Sequence, residues 1–139
     1  MHETRYLTAA DVIALANGYM SRLGYAEPVL RADGYGLLES AVARAQAVAY
    51  YAGGDLIDQA AALTNGVALN HPFIDGNKRT AWIACVTFLD INGRPLRDEA
   101  LLPLAEQIIA PHELTDRQQA DAVLSRWLRT YMEPAAVLD

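Results

Sequence analysis

Between His71 and Thr80 the chain reads His-Pro-Phe-Ile-Asp-Gly-Asn-Lys-Arg-Thr. A histidine, a carboxylate, a glycine, an amide, a lysine and an arginine follow in close succession, and an amphipathic run begins directly behind them. If that run is a helix, its first N–H groups have no partner within it and, with the helix dipole, form an anion site. Gly76 lets a ligand approach the backbone closely, and turn conformations there can gather N–H groups into a nest. Asn77 stands at the helix start. Lys78 and Arg79 add positive charge at that end, arginine as a two-pronged phosphate donor and lysine as a point charge. Asp75 supplies a hard oxygen of the kind that holds Mg²⁺ together with phosphate oxygens and water. His71, four residues before Asp75, offers an imidazole suited to general-base work near neutral pH. These are the parts needed to move a phosphorus-containing group from a nucleotide to a hydroxyl. Such a reaction rests on positioning, charge neutralisation and deprotonation of the nucleophile.

Each residue also has a plain structural reading. A single histidine beside a helix is most often structural, and Asp75-Gly76-Asn77 alone would be a turn and cap. Lys78 and Arg79 alone would be a solvated first turn, although cations there oppose the dipole. Phe73 reads as an apolar anchor for the loop. The coincidence of all of them favours chemistry. Ligation of a transition metal by His71 and Asp75 would need a further ligand, and His2 and His112 lack the spacing. Cys85 falls on the apolar face of the following run, where a buried, inert thiol is expected.

The elements that must position this segment read as helices. Thr8 and Asp11 mark the start of a first helix that carries Val12, Ile13, Leu15, Ala16, Tyr19, Met20 and Leu23 and stops at Gly24. A loop over 25 to 34 contains Pro28, Asp33 and Gly34. A second helix is expected from about Gly36 to Tyr51, broken by Gly53-Gly54. Asp55 caps a third, which ends near Asn70 because Pro72 disfavours helical geometry before it. A fourth runs from about Asp75–Asn77 to Asn92-Gly93, with Ala81, Ala84, Cys85, Phe88 and Leu89 inward. A fifth covers roughly Glu99 to Ala110, with Pro103 in its first turn or kinking it. Thr115 to Gln118 matches a capping box for a sixth, with Ala120, Val123, Leu124, Trp127, Leu128 and Tyr131 on its apolar face. Only Tyr50-Tyr51-Ala52 and Arg94-Pro95-Leu96 look strand-like. The expected fold class is all-α, a compact bundle of about six helices in one domain over 1–139.

Composition agrees with a packed, helical protein of this size. The 139 residues are 53% hydrophobic and 20% charged, which supports a core and excludes wholesale disorder. Eleven basic against 17 acidic residues leave a net charge of −6, so a nucleic-acid-wrapping role is not expected, while a local cationic site remains compatible. One cysteine cannot form an internal disulfide, which suits a reducing compartment. No apolar export segment follows Met1, and alanine-rich stretches such as 41–52 are broken by Arg44 and Gln46. No membrane association is expected, and the cytoplasm is the expected location.

The segment His71 to Arg79 resembles the Fic-fold signature: histidine, phenylalanine two residues on, an acid, a small residue and Asn-x-Arg. It is more closely similar to the Doc (death-on-curing) branch, the toxins of type II toxin–antitoxin modules, in which lysine stands after the asparagine as Lys78 does here. Asp33-Gly34-Tyr35-Gly36-Leu37-Leu38-Glu39-Ser40-Ala41, followed by Ala43-Arg44-Ala45-Gln46, resembles the second-helix region of these proteins. Phe88-Leu89-Asp90-Ile91-Asn92-Gly93 resembles the end of their motif helix. The likeness runs roughly from Tyr6 to Tyr131.

That resemblance implies a Fic fold with the motif loop between two central helices. It implies ATP as substrate, His71 as the base that deprotonates a target hydroxyl, Asp75 as the Mg²⁺ ligand, and Gly76, Asn77, Lys78 and Arg79 around the phosphates. Most Fic enzymes transfer AMP. The Doc branch binds ATP reversed and phosphorylates a threonine of elongation factor Tu, which arrests translation. Lys78 narrows the space where the second glycine of an AMP-transferring site would be. Trp82 stands where a second arginine would clamp phosphate. The resemblance also implies a cognate antitoxin whose C-terminal segment lies in an apolar surface groove. No self-inhibitory Ser/Thr-x-x-x-Glu-Gly/Asn motif is present, which favours a separate inhibitor. By the same resemblance Tyr50 to Gly54 is a flap that holds the target segment edge-on. By its residues alone it reads equally as a Gly-Gly helix break. The alternatives to a Doc-type kinase are a Fic-type AMP transferase and a catalytically silent binding module of the same fold.

Overall fold

The computed structural model describes residues 3–108 and 116–132. Among the described residues there are six α-helices: α1 (Ala9–Arg22), α2 (Gly34–Ala52), α3 (Leu56–Asn70), α4 (Asn77–Ile91), α5 (Leu101–Gln107), preceded by a 3-10 turn at Asp98–Ala100, and α6 (Arg117–Thr130). The all-α expectation holds.

Local signals account for most of the boundaries. Thr8 and Asp11 form a reciprocal capping box at α1, and Asp55 and Asp58 form another at α3. Asn92-Gly93 ends α4 as expected, with Gly93 at φ 75°. Pro103 falls in the first turn of α5, where its missing N–H costs no helical bond.

Helix α3 lies at the centre, packed against α2, α4 and α6. From Ile57 to Ala68 nearly every residue is buried, on all faces of the helix rather than along one stripe. That burial fits its composition, since alanine, leucine, valine and glycine offer no polar face. Two of the buried polar residues it does carry are paired: Thr64 donates to the Ala60 carbonyl, and Asn65 donates to Asp121 of α6 at 2.9 Å, while Gln59 keeps a buried Oε1 without a partner. Asp121 also pairs with Arg44 of α2 at 2.7 Å, so one carboxylate ties three helices. The motif helix α4 packs on the other side of α3 through Ala81, Ala84, Cys85, Phe88 and Leu89, all fully buried.

Several expectations are corrected. Helix α2 begins at Gly34 rather than near Gly36, because its first residue is pressed against the Pro72 carbonyl. A Cβ at position 34 would collide with that oxygen, so only glycine fits there. Tyr50, Tyr51 and Ala52 are the last turn of α2, not a strand. The α6 cap is Asp116, whose carboxylate accepts from the N–H groups of Gln118 and Gln119. Thr115 lies outside the described residues, as do Ala110, His2 and His112; the fifth helix, expected to reach Ala110, ends at Gln107, where Ile108 turns extended. Val123 is 45% exposed rather than part of the core. Leu96 does form an isolated bridge, with Met132. Among the described residues no helix is long and apolar enough to cross a membrane.

The flap assignment is also overturned. Helices α2 and α3 form an antiparallel hairpin, with Tyr50 to Gly54 at its turn and Gly34 beside Pro72 at its open end. The 15 residues of α3, at about 1.5 Å each, separate that turn from His71 by roughly 22 Å. The segment that does lie against the motif is 29–31. Leu30 bridges Phe73 in antiparallel fashion, with Arg31 N–H donating to the Pro72 carbonyl and Ile74 N–H to the Val29 carbonyl, both at 2.9 Å.

Candidate active site

His71 is the C-cap of α3 and takes a left-handed conformation, φ 55° and ψ 55°. Proline at 72 forbids continuation of the helix, and the left-handed residue turns the chain away from the α3 axis. Pro72 and Phe73 are buried, and Phe73 enters the core fully. The loop then surfaces: Ile74 is 66% exposed and Asp75 is exposed. Gly76, at φ 84°, turns the chain into α4. A side chain at that position would also press on the Met20 methyl group.

Asn77 serves the loop's shape directly. Its amide is buried, accepting from Phe73 N–H at 2.9 Å and donating to the Phe73 carbonyl at 2.8 Å. This side chain therefore grips the loop, and only its backbone N–H is left for an anion. The first helical bond of α4 is Thr80 N–H to the Gly76 carbonyl at 2.9 Å. The N–H groups of Asn77, Lys78 and Arg79 precede it and form the positive end of the helix. Lys78 and Arg79 are exposed there and form no ion pair with a described residue. The Arg79 guanidinium lies over the Tyr25 ring, 4.5 Å from its centroid.

Asp75 accepts the Gly76 N–H at Oδ1, 2.8 Å away, which fixes the carboxylate beside the helix start and leaves Oδ2 for a cation. Among the described residues no three of His, Cys, Asp or Glu gather around a point. The donor set is thus one carboxylate next to an anion site. It fits Mg²⁺ carried by phosphate oxygens and water, and it lacks the ligands of a transition-metal cage.

A cavity of about 310 Å³ adjoins Asp75, Gly76 and Arg79, walled by Met20, Tyr25 and Val29 among others. His71 and Lys78 are not among the residues that line it. A larger concavity, about 610 Å³, runs along α2 beside Tyr6 and Tyr50 and contains none of the motif residues. Trp82, one turn beyond the motif, is committed elsewhere: its indole N–H donates to the Leu101 carbonyl at 2.6 Å and its ring stacks on Tyr19. Cys85 is fully buried, and burial pushes its thiol up to about 11, so it does not act as a nucleophile.

The structure thus brings His71, Asp75, Gly76, Asn77, Lys78 and Arg79 together on one loop and helix start. It adds Tyr25, Val29 and Arg31, which the sequence showed only as loop. No periodic signal marks those three, because their partners lie some 40 to 55 positions away; Pro28 and the Asp33-Gly34 pair were the one local hint of a fixed turn.

An all-α fold whose central helix ends in this histidine loop, with an anion-binding helix start directly after it, defines a Fic-type protein. The chain belongs to the Fic/DOC family, whose model matches residues 6–89. Over 110 residues it is 49% identical to Toxin Doc of Mycolicibacterium smegmatis, an alignment that covers 76% of this chain and 78% of that protein.

Proposed function

We propose that this chain is a Doc-type toxin of the cytoplasm that transfers the γ-phosphate of ATP to a hydroxyl of a translation factor, elongation factor Tu, and so inhibits translation. The observation that carries this reading is the helix start at Asn77 to Arg79. It offers three successive N–H groups and two cations that form no ion pair with a described residue, but no second arginine one turn on, where Trp82 instead anchors Leu101. Lys78 and Trp82 together favour phosphoryl over AMP transfer.

In this mechanism His71 takes the proton of the target hydroxyl as that oxygen attacks the γ-phosphorus. The β–γ bridging oxygen departs with the bonding electrons, and ADP leaves. The N–H groups of Asn77, Lys78 and Arg79 and the two cationic side chains hold the phosphate oxygens and offset the charge that builds on them. Asp75 would hold Mg²⁺, which supplies further neutralisation of the phosphates. The outer edge of 29–31, set beside the loop, takes the docking role expected of a flap and pairs with an extended target segment.

The relative's name, Toxin Doc, supports a neutralising antitoxin for this chain too. A groove between α1 and α4, lined by Leu7, Ala14, Leu15, Thr87 and Ile91, has about 500 Å³ of room and continues toward Gly18 and Ile83. It suits an amphipathic segment of that partner.

The test is the intact mass of elongation factor Tu after incubation with the protein, ATP and Mg²⁺, beside a His71→Ala control. A gain of one phosphoryl group, absent in the control, is the expected result. A gain of one AMP would reassign the chain to the AMP-transferring Fic enzymes. An unmodified factor would remove it as the target.

A further inference from the structure

We propose that Arg31 is a positioning residue for His71, acting through the backbone of the motif loop. The inference rests on the reading of His71 as the base. His71 is the one residue other than glycine with positive φ among the described residues. An L side chain in that region is strained and persists only where neighbouring contacts hold it.

Arg31 provides those contacts. Its guanidinium NH1 donates to the His71 carbonyl at 3.2 Å, and its own N–H donates to the Pro72 carbonyl at 2.9 Å. Its carbonyl accepts the Gly34 N–H at 2.8 Å, which fixes it to the first turn of α2. The Asp33 carboxylate lies 3.9 Å from its Nε. One residue, 40 positions earlier in the chain, thus grips both peptide groups that follow His71. The guanidinium also answers the negative end of α3, whose last turn holds no basic residue of its own.

The consequence is directional. Rotation of the His71–Pro72 peptide swings the His71 Cα–Cβ bond and carries the imidazole with it. A base displaced by about 1 Å can lose on the order of a hundredfold in rate, while nucleotide affinity, set at the helix start, is untouched. Sequence inspection has no access to this role, because Arg31 stands in a loop with no motif around it.

The experiment compares wild type, Arg31→Ala and Arg31→Lys in phosphoryl transfer to elongation factor Tu at varied ATP. Arg31→Ala is expected to lower kcat by about tenfold or more with the KM for ATP within about twofold. Arg31→Lys and added free guanidinium should each restore part of the rate. A raised KM with unchanged kcat would make Arg31 a nucleotide ligand and overturn the proposal.

A second measurement needs no acceptor. The Cε1–H signal of His71, followed by NMR in the nucleotide-free protein, should shift or broaden in Arg31→Ala. An unchanged signal would overturn the proposal. A shifted signal in a protein whose wild type modifies nothing would uphold it and fault the proposed reaction instead.

Discussion

Asn77 clasps Phe73 from both sides: its Oδ1 accepts the Phe73 N–H at 2.9 Å and its Nδ2 donates to the Phe73 carbonyl at 2.8 Å. Phe73 has no exposed surface, so the peptide it carries would otherwise be a buried, unsatisfied group. The clasp sets the loop's curvature between His71 and the start of α4. Asn77→Ala is therefore expected to cost about 2 kcal/mol in urea unfolding and to abolish transfer. Asn77→Asp keeps the acceptor but sets a buried carboxylate oxygen against the Phe73 carbonyl, and should be no more stable than Asn77→Ala. A variant as stable as the wild type would show that the clasp does not hold the loop.

The left-handed conformation of His71 makes an unusual ordering of variants. Both His71→Ala and His71→Gly remove the imidazole, and both should be inactive. Glycine adopts φ 55° without a Cβ clash, whereas alanine does not. His71→Gly should therefore unfold at a higher denaturant midpoint than His71→Ala, by about 1 kcal/mol. Equal midpoints would contradict the conformation described.

Tyr25 and Arg79 form the wall where the 310 Å³ cavity meets the helix start. The ring holds the guanidinium beside the anion site. Tyr25 is itself tied to α1 by its N–H, which donates to the Met20 carbonyl at 2.9 Å. Loss of the ring in Tyr25→Ala should weaken ATP binding about two- to fivefold in calorimetry, the size of an exposed cation–π contact of ~0.5–1 kcal/mol. Tyr25→Phe should bind like the wild type, because the ring rather than the hydroxyl faces Arg79. Tighter binding by Tyr25→Ala would mean that the stack withholds Arg79 from the ligand.

At the far end of α3, Arg129 of α6 meets Asp55 with two bonds of 2.8 Å and Asp58 at 3.1 Å. The hydrogen bond from Arg129 holds the Asp55 carboxyl down to about 2, against an ordinary value of 3.8. The folded state thus binds a proton less readily than the unfolded state. The associated stability is present above about pH 4 and is lost as pH falls toward 2. These side chains are 45% and 54% exposed, so solvent screening limits the contribution to about 1 kcal/mol. Asp55→Asn keeps a capping side chain and removes the charge. It should be less stable than the wild type at neutral pH by that amount, and the difference should close below pH 2. A gap that persisted in strong acid would assign the effect to packing.

The helices and the chemical segment were legible along the chain because their causes are local. A capping box such as Thr8 with Asp11 acts within one turn, and the inward stripe Ala81, Ala84, Cys85, Phe88 and Leu89 follows from helical periodicity. Pro72, Gly76 and the residues from His71 to Arg79 declared a loop entering a helix for the same reason. The α6 cap was misplaced by a single residue because Thr115 and Asp116 are both good capping types.

What the chain alone determined is therefore the set of helices, their approximate ends and the run of residues equipped to bind phosphate and move a proton. Only the tertiary structure decided which surface stands beside that run. Tyr50 to Gly54 was set at the opposite end of the α2–α3 hairpin, while 29–31 was brought onto the motif loop. It also assigned Asn77 to the Phe73 peptide, Trp82 to Leu101 and Arg31 to the His71 carbonyl. Caps and periodicity act over a few residues, whereas these pairings join groups whose proximity exists only after α2, α3 and α4 have packed. A side chain's competing partners cannot be ranked until that packing fixes the distances between them.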